Sequence, residues 1–126
     1  MLMKTVNTLH APQPIGPYAQ AVISNGLLFV SGQIGLDPAS NEMAGEDIKH
    51  QTDQVLANLA AILEQAGSSP EKVVKTTLFL ADLADFAVVN GLYGDFFGDH
   101  KPARSTVQVA GLPRSARIEI ELVAEV

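Results

Sequence analysis

The chain has 126 residues, of which 47% are hydrophobic and 17% charged, a composition typical of a folded globular protein. The length suits one domain, predicted to span residues 1–126. The sequence contains no cysteine, which excludes disulfides, cysteine-ligated metals and a thiolate nucleophile. The 14 acidic and 8 basic residues give a net charge of −6, which disfavours nucleic acids and anionic membranes as partners.

The first ten residues contain no apolar run of signal-peptide length. No stretch of the chain approaches the roughly 20 apolar residues of a membrane span. We therefore expect a cytoplasmic protein that contacts neither a membrane nor nucleic acid.

The predicted elements alternate strands and helices. In chain order they are an edge strand at 4–8, a proline-rich loop at 10–18, strands at 19–24 and 27–34, a helix at 46–66, a strand at 73–81, a helix at 83–97, and strands at 104–109 and 118–126. Asn25 and Gly26 separate two apolar runs and tolerate positive φ angles, which indicates a type I′ hairpin.

Both helices are predicted from apolar residues spaced three and four apart. Gly67 is a candidate left-handed cap for the first helix. Asp82 is a candidate N-cap for the second helix and Gly98 its stop.

This order predicts an α+β fold, a single sheet of about six strands with two helices packed on one face. The strands at 27–34 and 73–81 carry apolar residues on both sides. Since the two helices cover only one face, a second copy of the chain is the simplest cover for the other face. The sequence therefore predicts a homo-oligomer.

Little in the sequence indicates a metal site or a nucleophile. The three histidines are 40 and 50 residues apart, and none has a second ligand at helical spacing, so no metal site is predicted. All three arginines lie within 104–117, in a stretch free of acidic residues. Arg114 and Arg117 lie in or beside a turn and are interpreted as solvated.

Two charged residues stand out. Arg104 begins a strand and could bind a carboxylate through its planar guanidinium, although a structural role at the rim is the simpler interpretation. Glu119 lies beside Glu121 on one face of the last strand. That face is either a solvated surface or, in an oligomer, the site of a buried carboxylate that needs a partner or a function.

Four further residues could belong to a functional site, but each also has a purely structural interpretation. Tyr18 is interpreted as a packing residue with a solvated hydroxyl. Ser31 and Gly32 form a small pair suited to a crowded crossing. Asn90 interrupts the apolar face of the second helix, where a buried amide must find partners.

Ordered motifs over almost the whole chain resemble the reactive-intermediate deaminase (RidA, formerly YjgF) family. These motifs are IGPYAQ at 15–20, VSGQI at 30–34, KTT at 75–77, DF at 85–86, VN at 89–90, PARS at 102–105 and IEIE at 118–121. The resemblance implies a chorismate-mutase-like fold and a homotrimer with clefts between subunits.

The resemblance also implies an activity, the hydrolysis of 2-imino acids such as 2-iminobutanoate and 2-iminopropanoate, or their enamine tautomers, to 2-oxo acids and ammonia. The matching positions make Arg104 the residue that binds the substrate carboxylate and Glu119 the residue that positions water. The other matching cleft positions are Tyr18, Ser31, Gly32, Asn90 and the backbone of Thr106. A protonated imine is already electrophilic, so we expect no metal or organic cofactor.

Three positions depart from the family pattern. Thr106 stands where many members have cysteine, Lys101 where an apolar residue is common, and Gly111 where a larger residue is frequent. Thiol chemistry at position 106 is therefore absent. Lys101 and Gly111 are expected to alter the rim of the cleft, and hence the substrate range.

Two other functions remain open at this point. The same cleft could belong to a non-catalytic module that senses a small carboxylate, which would need Arg104 but not Glu119. A ribonuclease is the weakest alternative, because the chain is acidic and lacks a pair of histidines.

Overall fold

A computed structural model describes residues 3–126. Six strands and two α-helices form within this range. They are β1 (Lys4–Val6), β2 (Ala21–Ser24), β3 (Leu27–Gln33), α1 (Ile48–Gln65), β4 (Val73–Leu80), α2 (Phe86–Phe97), β5 (Ala103–Gln108) and β6 (Ile118–Glu125). Neither helix is long and apolar enough to cross a membrane.

The strands form one mixed sheet in the order β1-β2-β3-β6-β4-β5. Every neighbouring pair is antiparallel except β4 and β5, which are parallel. The predicted α+β architecture is confirmed. In this order β6 lies between β3 and β4, whereas β5 is an edge strand.

One face of the sheet packs against the two helices and forms the core. In β6 the alternate residues Ile118, Ile120 and Leu122 are almost fully buried, as the period of two in a strand requires. The opposite face, called here the open face, carries apolar side chains such as Phe29 and Val107, which are 46% and 42% exposed. A single copy of the chain therefore leaves apolar sheet surface uncovered.

The hairpin between β2 and β3 forms as the sequence predicts. Asn25 and Gly26 adopt φ angles of 53° and 77°, and Ser24 pairs with Leu27 across the turn. Both central residues are left-handed, which identifies the type I′ geometry.

The helix boundaries differ slightly from the predicted ones. Helix α1 begins after Asp47, whose carboxylate accepts a hydrogen bond from the His50 backbone N–H. Asp82 does cap a helical turn, but its carboxylate binds the nearby N–H of Ala84 and starts a 3₁₀ turn at Leu83–Asp85. The α-helix itself therefore begins only at Phe86.

A buried amide that the sequence reasoning missed fixes the proline-rich loop. Gln20 is 1% exposed, and its side-chain oxygen accepts a hydrogen bond from the Thr8 N–H at 2.8 Å. Its Nε2 donates to the carbonyl oxygens of Thr8, Ala11 and Pro12 at 3.0, 3.3 and 2.9 Å. This one side chain therefore holds the loop that ends at Tyr18.

We expect Gln20→Ala to lower the free energy of unfolding by about 1–3 kcal/mol, because it leaves buried backbone groups without partners. Gln13→Ala is the matched control, since Gln13 is exposed and donates a single hydrogen bond to the Thr8 carbonyl. Urea denaturation measures both variants. Equal losses of stability would contradict the assigned role of Gln20.

Candidate active site

Arg104 is held against helix α2. Its Nη1 donates to Asn90 Oδ1 at 2.8 Å, and its Cζ lies 4.8 Å from the ring centroid of Tyr93 and 5.4 Å from that of Phe86. Both rings are within the range of cation–π attraction. The guanidinium is therefore oriented by three side chains of one helix before any ligand arrives.

The guanidinium of Arg104 lines a cavity of about 440 Å³ on the helix side of the sheet. Asn90, Tyr93 and Lys101 also line it, and no acidic residue does so in the described chain. Within residues 3–126, no carboxylate oxygen lies within 4.0 Å of this guanidinium. The remaining N–H donors of Arg104 are available to an anion.

Thr106 lies two residues further along β5, on the same face as Arg104. Its hydroxyl is buried and has no hydrogen-bond partner in the described residues. The N–H of Val109 donates to the Leu80 carbonyl on β4. Successive N–H groups of a strand point to opposite sides, and Thr106 is three residues before Val109. The N–H of Thr106 therefore points away from β4, towards the free edge of the sheet.

Glu119 lies on β6 between the buried residues Ile118 and Ile120, so its side chain points to the open face. Gly32 on β3 leaves room for it, because a Cβ at position 32 would clash with Glu119 Oε2. Burial raises the pKa of Glu119, and the nearby Glu121 carboxylate raises it further.

Glu119 lines a second cavity, of about 290 Å³. Tyr18, Gly32, Ile15 and Arg114 contribute to the same cavity. Ser31 has a structural contact, because its hydroxyl donates to the Ala19 carbonyl at 2.6 Å and so ties β3 to the segment after Tyr18.

The predicted site residues therefore fall into two groups within one chain. Asn90, Arg104 and Thr106 lie on the helix side, which we call the arginine half-site. Tyr18, Gly32 and Glu119 lie in the second cavity, which we call the glutamate half-site.

Sheet register explains the separation of the two half-sites. On β4, Thr76 pairs with Arg104 and Phe79 pairs with Glu119. Paired residues share a face, and residues three apart on a strand lie on opposite faces. Arg104 and Glu119 consequently point to opposite sides of the same sheet.

One prediction about an individual residue is wrong. Asn90 is not a buried amide in the helix core; it is exposed, and its partner is Arg104. Arg114 is exposed, as the sequence predicts, and it also lines the cavity of the glutamate half-site, where its Nη1 donates to the Asn41 carbonyl at 3.0 Å.

The sequence reasoning also missed the aromatic support of Arg104. Phe86, Asn90 and Tyr93 are spaced four and three apart, which places them on one face of a helix. The sequence therefore shows that the three side chains share a helix face. It does not show that this face packs beside β5, the strand that carries Arg104.

Comparison with known proteins identifies the family. The family described as Endoribonuclease L-PSP matches residues 8–126. The chain belongs to this family. It is 52% identical over 124 residues to the "Putative regulator AldR" of Lactococcus lactis, covering 98% of both chains. It is also 44% identical over 124 residues to the human "2-iminobutanoate/2-iminopropanoate deaminase", covering 98% of this chain and 90% of the human one.

Solved structures of L-PSP family members have the same fold. The crystal structure of E. coli TdcF with bound serine superimposes with a TM-score of 0.93 at 41% identity, covering 98% of both chains. The resemblance to reactive-intermediate deaminases is thus confirmed, and deaminase names among the relatives support a deaminase-type enzyme.

The raised pKa of Glu119 predicts a pH-dependent stability. A carboxyl whose folded pKa exceeds its unfolded value of about 4.3 stabilises the fold at low pH, and this contribution is lost as pH rises through the folded pKa. We expect Glu119→Gln to remove that decline, so the variant gains stability relative to wild type as pH increases. Thermal unfolding between pH 4 and 8, buffers on the order of one pH unit apart, measures the difference.

Glu125→Gln is the control for this comparison, because Glu125 is an exposed residue of the same strand. A constant stability difference between wild type and Glu119→Gln across the pH range would show that burial does not raise the pKa of Glu119.

Proposed function

We propose that this protein is a hydrolytic deaminase of reactive 2-imino acids, such as 2-iminobutanoate and 2-iminopropanoate, and of their enamine tautomers. The observation that carries the proposal is the pair of open half-sites, one with an oriented and unpaired guanidinium and the other with a half-buried carboxylate. The human relative carries the name of this activity.

Arg104 is proposed to bind the substrate carboxylate. A guanidinium presents parallel N–H donors to both carboxylate oxygens, which fixes the orientation of the ligand as well as its position. Asn90 accepts one N–H of Arg104 and the Tyr93 ring supports its face, so little rotamer freedom is lost on binding. The edge-facing N–H of Thr106 is proposed to donate to the same carboxylate.

Glu119 is proposed to position and activate the attacking water. The balanced reaction is R–C(=NH₂⁺)–COO⁻ + H₂O → R–CO–COO⁻ + NH₄⁺. Water forms a bond to the imine carbon while Glu119 takes one of its protons, and the C–N bond then breaks after the nitrogen is protonated. A carboxylate with a raised pKa is a stronger base than an ordinary one, which suits this role.

The remaining positions are proposed to shape the glutamate half-site. Gly32 allows the Glu119 side chain to lie against the β3 backbone, and Tyr18 forms part of the cavity wall. Ser31 is proposed to contribute to the cleft while holding the loop that carries Tyr18. The reaction is a hydrolysis without net oxidation, so we propose that it proceeds without a cofactor.

A second copy of the chain is proposed to complete the site. Arg104 and Glu119 point to opposite faces of their own sheet, so no substrate can reach both within one chain. The open face also carries exposed apolar residues such as Phe29 and Val107, which an oligomer would cover. Following the family resemblance, we propose a homotrimer in which the arginine half-site of one copy faces the glutamate half-site of the next.

A non-catalytic regulatory role is the second candidate. The relative from Lactococcus lactis is named a putative regulator, and the orientation of Arg104 suits carboxylate binding with or without catalysis. A ribonuclease activity, which the family description names, fits the net charge of −6 poorly because RNA attracts basic surfaces.

The direct test is the release of ammonia and 2-oxobutanoate from freshly generated 2-iminobutanoate. We expect Arg104→Lys to lower kcat/KM about 10-fold or more, because a point charge replaces a bidentate fork. We expect Glu119→Gln to lower kcat about 10²–10⁴-fold through loss of acid–base catalysis. Arg117→Lys is the control, since Arg117 pairs only with Asp85 at 3.6 Å among the described residues.

The same variants separate an enzyme from a sensor. If the Glu119→Gln variant binds 2-oxobutanoate as tightly as wild type but no longer hydrolyses the imine, the result supports the enzymatic function. A wild-type protein that binds 2-oxobutanoate tightly and does not hydrolyse the imine would support the regulatory alternative instead.

Mixed oligomers test the shared site. Arg104→Ala and Glu119→Gln should each be inactive alone, whereas co-refolded mixtures should regain activity at about one site in four, since each half-site has an even chance of being intact. Activity that stays absent in verified mixed oligomers would show that both residues must come from one chain.

A further inference from the structure

Arg114 is a cationic residue of the glutamate half-site to which the proposed reaction gives no role. It lines the same cavity as Glu119 and Tyr18, and these two charged residues, Arg114 and Glu119, are the only ones in the lining among residues 3–126. In the proposed assembly, the Arg104 side chain would reach this cavity from another copy of the chain. The glutamate half-site therefore contains one cation of its own.

The backbone at Arg114 is unusual. Arg114 and Ser115 both have left-handed φ angles, 56° and 55°, although neither is glycine. Such conformations are costly for residues with a Cβ and are found preferentially at functional sites. The turn is held by the hydrogen bond from the Ala116 N–H to the Pro113 carbonyl, and Ala116 is buried.

The guanidinium of Arg114 is only partly used. Its Nη1 donates to the Asn41 carbonyl at 3.0 Å, and within residues 3–126 no carboxylate oxygen lies within 4.0 Å of it. Arg114 and Glu119 therefore do not form an ion pair with each other, and most of the five guanidinium donors of the exposed Arg114 side chain remain free.

We propose that Arg114 is a specificity-determining residue that binds an acidic group on the side chain of the substrate. The inference rests on the proposed function, and it names 2-imino acids with a second carboxylate as a substrate class of the site. With the first carboxylate on Arg104 and the imine carbon beside Glu119, the substituent on that carbon is the part of the substrate that lies along the remaining cavity wall. Arg114 is the group in that wall that matches an anion.

Electrostatics favours a cation at this position for a substrate with a second carboxylate. A second carboxylate entering the cavity of Glu119 meets a like charge in a partly desolvated space, which disfavours binding. A guanidinium in the same cavity offsets this repulsion. Monocarboxylic imines with short apolar side chains need no such compensation, so the effect of Arg114 should depend on the substrate.

The test compares 2-iminoglutarate with 2-iminobutanoate, each generated in situ by an amino-acid oxidase. We expect Arg114→Gln to lower the ratio of kcat/KM for 2-iminoglutarate to that for 2-iminobutanoate about 10-fold, mainly through KM, with partial rescue by Arg114→Lys. Arg117→Gln is the matched control, because it removes the same charge three residues away and Arg117 does not line this cavity. An unchanged ratio in Arg114→Gln would overturn the inference.

Binding of the product analogues distinguishes this failure from failure of the proposed function. If wild type hydrolyses neither imine, but Arg114→Gln selectively weakens binding of 2-oxoglutarate over 2-oxobutanoate, the deaminase proposal fails and the assignment of Arg114 stands. If wild type hydrolyses 2-iminobutanoate and Arg114→Gln changes neither ratio, the deaminase stands and the assignment of Arg114 is wrong.

Discussion

The alternation of side chains along a β-strand is the constraint on which the account depends. Arg104 and Glu119 are joined through β4, where their pairing partners Thr76 and Phe79 are three residues apart. An odd separation puts the two side chains on opposite faces of the sheet, and no rotamer can undo this. A single chain therefore cannot bring both residues to one substrate, and the proposed chemistry requires a second copy. The apolar open face, which a single chain leaves exposed, would supply the physical reason for the proposed assembly.

The charged side chain of each half-site is held in position by different contacts. On the helix side, one face of α2 fixes the guanidinium through the amide of Asn90 and the rings of Phe86 and Tyr93. On the open face, the absence of a side chain at Gly32 lets Glu119 lie against β3 in a partly buried position. Burial and the nearby Glu121 carboxylate raise the pKa of this carboxyl. In the proposed assembly, the guanidinium of a neighbouring copy would approach it together with the substrate.

The sequence predicts the fold well because local signals dominate it. Period-two patterns locate β5 and β6, a run rich in β-branched residues locates β4, and helical spacing locates both helices. Asn25-Gly26 sets the register of the hairpin between β2 and β3. The predicted start of α2 at residue 83 is wrong, because the Asp82 side chain caps a 3₁₀ turn that precedes the α-helix. The family resemblance supplied the candidate residues, but their grouping depends on the registers of β5 and β6 against β4. β6 is a sheet neighbour of β4 although β5 lies between them in the chain. The anchoring by Gln20 and the location of Arg114 arise from long-range contacts that have no local pattern.

The most direct test of the central claim is a crystal structure of the assembled protein with 2-oxobutanoate, the product of the proposed reaction. The account predicts that the ligand carboxylate lies on the Arg104 guanidinium of one copy while the keto carbon faces Glu119 of a neighbouring copy. A ligand bound wholly within one chain, or an assembly in which positions 104 and 119 share no cavity within or between copies, would contradict it.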